Sequence, residues 1–97
     1  MYVVAKHRIK DAEAFFSVSR VAAENAPAGV YGRQFCPSRD KAEAVCLWEA
    51  DSVEVVERYL DALIGEAGEN TYFQVSAEHA IGIPQPIIGA TAAVEAR

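Results

Sequence analysis

The sequence predicts an α+β domain whose strands and helices follow the order βαββαβ. Three observations support this prediction. A short apolar strand leads directly into a capped amphipathic helix over Glu43–Ala67, a weaker strand–helix unit opens the chain, and one further strand follows each unit. Because strand–helix–strand crossovers are right-handed, the simplest packing is a four-stranded antiparallel sheet with both helices on one face.

The first unit begins with Tyr2–Ile9, a strand whose C-terminal end becomes polar. Asp11 is predicted to cap the following helix, which ends before Pro27. Val30–Cys36 is predicted to form the second strand, and the turn-forming residues of Pro37–Asp40 follow it. These elements give the first half of the βαββαβ order.

The second unit contains the clearest pattern in the chain. Ala42–Trp48 includes a continuous apolar run that is too short for a helix and is typical of a buried strand. Asp51, with Glu54 three residues later, matches a capping box, and apolar residues then recur at helical spacing as far as Ala67. Tyr72–His79 alternates polar and apolar side chains, which predicts a half-buried fourth strand.

The C-terminal region differs in character from the rest. Prolines in Ile83–Ile88 argue against a central strand there. We therefore expect one domain over residues 1–83 and an arm with a tail over residues 84–97. Burial of Ile83, Ile87 and Ile88 would be favourable, so we expect these side chains to pack onto a partner subunit. The alternative is that the segment lies on the helices of its own chain.

Charge and composition narrow the classes of partner. The formal net charge is −5 and no cluster of Lys and Arg occurs, which argues against nucleic acid and anionic membranes as partners. No apolar run is long enough to cross a bilayer. The N-terminus lacks a basic segment and a cleavage site, so we expect no signal peptide and a cytoplasmic location. Hydrophobic residues make up 52% of the chain, which favours a homodimer.

The cysteines and histidines are the most reactive residue types in the chain. In the predicted hairpin, Cys36 and Cys46 lie roughly 10 Å apart, beyond disulfide reach, so two buried free thiols are expected. No base is predicted beside Cys46, which favours a structural role. His7 and His79 at neighbouring strand ends are candidates for a general base or a weak nickel or zinc site, or they simply face water. Ligand-like local spacing is absent, and no cofactor is predicted.

The face of the sheet away from the helices is the predicted ligand surface. Alternation groups Tyr31, Arg33 and Phe35 with Ala44, Cys46 and Trp48 on this face. The candidate pocket residues are Lys6, Arg8, Tyr31, Arg33, Trp48, Tyr72, Gln74 and Glu78. The cations either bind an anionic substrate or pair with Glu49 and Glu78. The aromatic residues either line a pocket or form the core of a dimer interface.

These elements together resemble the dimeric α+β barrel superfamily, which has a ferredoxin-like fold. The segment YVVAKHRIKDAEAFF resembles the opening of antibiotic-biosynthesis-monooxygenase-like and stress-responsive barrel domains. The segment AVCLWEADSVEVVERYL is similar to their third strand and following helix. A small-barrel family with nickel-binding members is also similar. The resemblance implies a face-to-face homodimer with one pocket in each subunit.

The fold alone does not indicate which of the functions found in this superfamily a chain has. The resemblance implies a small-molecule-binding protein, with a cofactor-independent monooxygenase or isomerase as one form. The alternative is a non-catalytic module that binds a metal ion or a ligand. Haem-degrading members are expected to use a histidine on a helix, and neither His7 nor His79 is predicted on one.

Overall fold

The computed structural model describes residues 1–84 and confirms the predicted ferredoxin-like α+β fold. The elements are β1 (Tyr2–Ile9), α1 (Ala12–Ala22), β2 (Tyr31–Pro37), β3 (Glu43–Glu49), α2 (Val53–Ile64), a 3₁₀ turn (Gly65–Ala67) and β4 (Gly68–Gln74). The strands form one antiparallel sheet in the order β2-β3-β1-β4. The predicted boundary at residue 83 lies at the end of the described chain, and Ile87 and Ile88 of the predicted arm lie outside it.

Strand register determines which side chains lie beneath the helices. Ala5 pairs with Cys46 on β3 and with Tyr72 on β4, so these residues share one face of the sheet. On that face, Val3, Ala5, His7, Ala44, Cys46 and Trp48 are all buried. The helices cover them with Phe15, Val56, Leu60 and Ile64, which complete the core.

The predicted face of β3 is wrong. Cys46 and Trp48 were expected on the face away from the helices, yet they lie in the core beneath them. Glu43 and Glu49 alternate with these residues, and placing carboxylates under the helices would be costly. The hairpin register also differs, because Cys36 pairs with Val45 and a bulge lies between Gly32 and Gln34.

The bulge separates residues that simple alternation places together. Phe35 lies on the helix side of the sheet, with its ring centroid 6.3 Å from that of Phe15. Tyr31, before the bulge, pairs with Glu49 and is 51% exposed. Both cysteines are free, as predicted, but Cys36 is exposed rather than buried. The bulge therefore places Tyr31 and Phe35 on opposite faces of the sheet, although simple alternation places them on the same face.

Several element boundaries also differ from the prediction, most of all that of β4, which begins at Gly68 rather than at Tyr72. Strand β4 ends at Gln74, and Ser76 accepts backbone hydrogen bonds from His79 and Ala80 in a turn beyond it. The alternation of Tyr72–His79 therefore continues past the last strand pairing. Helix α2 begins one residue later than expected, with Ser52 rather than Asp51 as its N-cap.

The second face of the sheet has no helix over it in the part of the chain described. Val45 and Phe73 on this face are 43% and 50% exposed. After β4 the chain comes back over this face, where Ile83 lines a depression together with residues of all four strands, among them Val45 and Phe73. The hydroxyl of Tyr2 donates a hydrogen bond to the carbonyl of Pro84. Neither described helix is long and apolar enough to cross a bilayer.

Candidate functional site

A cavity of about 230 Å³ lies between the sheet and the two helices. Aromatic side chains form part of its wall, and aliphatic side chains of α2 close the opposite side. The aromatic residues are Phe15, Phe35 and Trp48, and the polar lining residues include His7, Arg33 and Cys46. The site is therefore mainly apolar with a small set of reactive groups.

Gly32 on β2 makes room for one wall of this cavity. A Cβ at this position would lie 3.0 Å from the Cβ of Ala23 and 3.3 Å from the ring of Trp48. Any larger residue would push against the end of α1 or the indole. The absence of a side chain at Gly32 thus lets the Trp48 ring lie close to β2.

Hydrogen bonds join His7 to residues on both neighbouring strands. His7 is 4% exposed. Its Nδ1 lies 2.7 Å from Oδ1 of Asn70 on β4, and its Nε2 lies 3.1 Å from Sγ of Cys46 on β3. The indole Nε1 of Trp48 donates to the same sulfur at 3.0 Å. The thiol therefore lies between an imidazole nitrogen and an indole N–H.

The outer part of this network determines where the protons are. Asp61 on α2 accepts hydrogen bonds from Nδ2 of Asn70 at 2.9 Å and from the hydroxyl of Tyr72 at 2.7 Å. Because the Asn70 amide nitrogen is used in this way, its oxygen faces His7 as an acceptor. Nδ1 of His7 must then carry the proton, and Nε2 carries the lone pair that accepts the Cys46 S–H.

Burial keeps the inner groups of the network uncharged. Desolvation lowers the pKa of His7, partly offset by the Asn70 hydrogen bond and the nearby Asp61. Desolvation also raises the pKa of Cys46 to about 11, against the opposing effect of the Trp48 hydrogen bond. For Tyr72, burial and then Asp61 raise the pKa. At neutral pH the site holds a neutral imidazole and a neutral thiol.

Two of the predicted pocket residues line this cavity. They are Trp48 and Arg33. The Arg33 guanidinium donates to Oε1 of Glu49 from Nη2 at 2.7 Å and from Nε at 3.0 Å, which is the predicted alternative of pairing with a carboxylate. Its central carbon also lies 5.1 Å from the ring centroid of Tyr31. Tyr72 pairs with Ala5 and so lies on the helix side of β4, not on the predicted face, and it reaches the network through Asp61.

The remaining predicted pocket residues lie elsewhere. Lys6 and Arg8 point away from the helices, and Arg8 forms an exposed ion pair with Glu69 at 2.6 Å. Gln74 is exposed at the end of β4, and Glu78 is exposed in the following turn. The structure therefore does not bring Lys6, Arg8 and Arg33 to a common point.

The two histidines are not neighbours. His79 is exposed, and its Nδ1 lies 3.0 Å from the hydroxyl of Ser76. Val75, just before that turn, bonds to the carbonyl of Tyr2 at the start of β1, whereas His7 lies near the end of β1. Within residues 1–84, no group of three or more His, Cys, Asp or Glu residues is arranged to hold a metal ion.

Sequence reasoning missed Asn70, Asp61 and the contact of His7 with Cys46. One signal could have revealed the contact. In the β1–β3 register His7 pairs with Ala44, so Cys46 two residues along is its diagonal neighbour on the same face. A prediction of pairing between these two strands would have placed the thiol beside the imidazole.

In comparisons with known proteins, no family model and no curated protein sequence matches this chain. The α+β fold is shown by the structure, while membership of a particular superfamily stays a prediction. The chemistry of the cavity therefore carries the functional argument.

Proposed function

We propose that this protein binds a small, flat, mainly apolar molecule in the cavity between the sheet and the helices. The observation that carries this proposal is the 230 Å³ cavity, whose aromatic wall adjoins an uncharged imidazole and thiol. Ligand sites typically combine apolar walls with a few placed polar groups. An apolar cavity of about 150 Å³ can hold benzene, so this one has room for a substituted single ring.

The polar groups favour proton transfer on the bound molecule. Nε2 of His7 carries a lone pair, and Asn70 holds the imidazole in that tautomer. A neutral imidazole can accept a proton from an acidic O–H or C–H group of a ligand. A cofactor-independent isomerase or monooxygenase needs a protein group that removes a proton from its substrate. We therefore propose this kind of enzyme first.

Non-catalytic ligand binding is the alternative. It is favoured by one observation: Cys46 already occupies Nε2 of His7, so the base is hydrogen-bonded within the protein itself. The metal-binding form of this alternative has less support, because His7 and Cys46 provide two donors and the described chain adds no third. If the parent protein converts a bound ligand and the His7→Gln variant does not, catalysis is favoured over binding alone.

We also propose that two copies pair through their second sheet faces to form a dimeric α+β barrel. The support is the set of large apolar side chains exposed on the face without a helix in residues 1–84, which includes Tyr31, Val45 and Phe73. Such side chains gain free energy when a second copy covers them. Ile83 borders this face and would lie near the dimer boundary.

Binding can be tested with the protein's own fluorophore. Trp48 is the single tryptophan of the chain and lines the cavity. We expect small cyclic ketones and phenols to change Trp48 emission saturably and to raise the melting temperature, because a ligand of the native state stabilises it by mass action.

A pair of variants on α2 distinguishes the cavity from the surface. Leu63 lines the cavity, whereas Ala62 beside it is exposed. Leu63→Phe should fill part of the space and weaken binding by about tenfold or more, and Ala62→Phe should leave it unchanged. Equal binding by both variants would show that the cavity is not the ligand site.

A further inference from the structure

We propose that Cys46 is a nucleophile that adds to small conjugated carbonyl compounds held in the cavity. His7 is the proton acceptor in this step, and Asn70 is a positioning residue. This inference rests on the proposed function, because it assigns a substrate class to the same cavity. It changes the role of Cys46 from a buried structural thiol to a reacting group.

The arrangement meets the geometric requirement for a base-activated nucleophile. The Cys46 sulfur lies 3.1 Å from Nε2 of His7, within hydrogen-bond reach of a base that can take its proton. The other imidazole nitrogen donates to Asn70 at 2.7 Å, which orients the ring. Asp61 in turn fixes the Asn70 amide. A nucleophile, a base and an orienting group therefore follow one another from β3 to β1 to β4.

One further contact and the position of Cys46 beside the cavity distinguish it from an inert core cysteine. The indole N–H of Trp48 points at the sulfur from 3.0 Å, where it would stabilise negative charge that develops during attack. Cys46 and His7 also both line the cavity, so a bound molecule can reach them although each residue is nearly buried. An ordinary core cysteine has neither a base nor an adjoining cavity.

The protonation state decides how this thiol can react. Burial raises the pKa of Cys46 to about 11, so the resting group is a thiol rather than a thiolate. Attack must therefore be accompanied by transfer of the proton to His7. Desolvation lowers the pKa of His7, so its imidazole is unprotonated at neutral pH, and its Nε2 lies 3.1 Å from the sulfur that gives up the proton.

The reaction is an addition that balances without an oxidant or a cofactor. The sulfur forms a bond to the β-carbon of the conjugated system as the S–H proton moves to Nε2 of His7. The electron pair of the carbon–carbon double bond shifts to give an enolate. The imidazolium then returns its proton to the α-carbon. The product is a thioether, and His7 is neutral again.

Conjugated carbonyl compounds fit this cavity better than acyl compounds. They are flat and apolar, in keeping with walls formed by Phe15, Phe35 and Trp48. Acyl transfer also requires hydrogen-bond donors arranged around an oxyanion at a tetrahedral carbon. An enolate spreads its charge over several atoms, so it depends less on donors fixed around a single atom.

The exposed Cys36 provides an internal reference for the test. Two single-thiol proteins, Cys36→Ser and Cys46→Ser, are treated with 2-cyclohexen-1-one, and intact mass measures the rate of adduct formation. We expect the Cys36→Ser protein, which retains Cys46, to show saturation with enone concentration. The Cys46→Ser protein, which retains the exposed Cys36, should react in proportion to enone concentration without saturation.

The dependence of the rate on pH reveals whether His7 takes the proton. A surface thiol reacts as its thiolate, so its rate rises about tenfold per pH unit below a pKa of about 8.5. For Cys46 we expect a nearly constant rate between about pH 7 and about pH 9. The rate should fall only at a pH below the ordinary histidine pKa of about 6.5, because burial lowers the pKa of His7. A tenfold rise per pH unit for Cys46 across this range would overturn the inference.

Two substitutions test the partners in the Cys36→Ser background. His7→Gln should slow Cys46 by about 100-fold or more, the usual size of general-base catalysis, and should remove the constant region of the pH profile. Asn70→Ala should slow the reaction less than His7→Gln does. It should also shift the fall in rate to lower pH, because the Asn70 hydrogen bond raises the pKa of His7. Should both variants react as fast as their parent, His7 is not the base. The pH profile of the parent protein decides the matter if either variant fails to fold.

Cyclohexanone separates this inference from the proposed function, because it has the shape of the enone but cannot form the adduct. Saturable binding of cyclohexanone, seen in Trp48 emission and as protection of Cys46, is the expected result. Binding of cyclohexanone without any reaction of the enone would refute the nucleophile and leave ligand binding intact. Failure of both compounds to bind would count against both proposals.

Discussion

At the scale of single residues, His7 is the position where burial and hydrogen bonding oppose each other most clearly. A histidine with 4% exposure loses most of the solvation that its charged form needs. Asn70 and Asp61 recover part of that loss, yet burial has the larger effect on the pKa. The outcome is a neutral imidazole whose tautomer is determined by a chain of hydrogen bonds reaching the protein surface at Asp61.

This balance predicts how stability depends on pH. The pKa of His7 is lowered in the folded state, so the unfolded chain binds a proton below about pH 6.5 that the folded chain does not. The free energy of unfolding should therefore be highest above about pH 6.5 and fall by up to about 1.4 kcal/mol per pH unit below it, until the folded pKa is reached. Urea unfolding at about pH 7.5 and about pH 5.5 measures this change.

Two histidine variants provide the comparison for that measurement. His7→Gln should be less stable at neutral pH but should lose less stability on acidification, because Gln does not titrate. His79→Gln replaces an exposed histidine and should keep the full dependence of the parent protein. The assignment to His7 would be wrong if His7→Gln and the parent lost the same free energy between the two pH values.

At the scale of secondary-structure elements, helix α2 shows how a local pattern can be displaced by one residue. Asp51 and Glu54 have the spacing of a capping box, but the helix begins at Val53. The side chain of Ser52 therefore takes the cap position and accepts a hydrogen bond from the backbone N–H of Val55 at 3.2 Å. The N-cap is defined by where the backbone enters the helix, and that point depends on how β3 ends.

The cap can be identified by paired substitutions. Ser52→Ala should lower the free energy of unfolding by about 1 kcal/mol, because an N–H group at the helix start loses its acceptor. Asp51→Ala, at the exposed neighbouring position, should change it by less than about 0.5 kcal/mol. Chemical denaturation of the two variants measures both effects. A larger loss of unfolding free energy for Asp51→Ala than for Ser52→Ala would identify Asp51 as the N-cap.

At the scale of the whole molecule, the two faces of the sheet have different roles. One face is covered by α1 and α2 and contains the cavity. The other exposes Tyr31, Val45 and Phe73, and the chain after β4 borders part of it. A dimer formed through this second face would leave the cavity of each copy on the outside of the interface. Dimerisation and ligand binding are therefore separable by mutation.

We expect the parent protein to have a native mass of twice the 10.5 kDa of one chain. The Phe73→Arg variant should be a monomer, because it places a charge in the proposed interface. Ser17→Arg is the matched control, because it adds the same charge at an exposed position on α1. Sedimentation equilibrium measures both masses. A monomeric parent protein at micromolar concentration would rule out the proposed dimer, and a dimeric Phe73→Arg would place the interface elsewhere.

The number, type and order of the elements follow from local patterns in the sequence. The apolar run of β3 and the helical periodicity of α2 depend on neighbouring residues, so they are visible without any tertiary contact. The boundary of β4 was less accessible, because the alternation of Tyr72–His79 continues after strand pairing ends at Gln74. Local pattern therefore predicted the architecture, and pairing decided where its last strand stops.

The composition of the site, in contrast, depends on how the strands pair and which face the helices cover. A period of two divides a strand into two faces but does not say which face the helices cover, so Trp48 and Cys46 were assigned to the wrong one. The contact of His7 with Cys46 joins residues 39 positions apart and depends on the register of β1 against β3. That register follows from the burial of whole apolar faces, which no single segment of the chain contains.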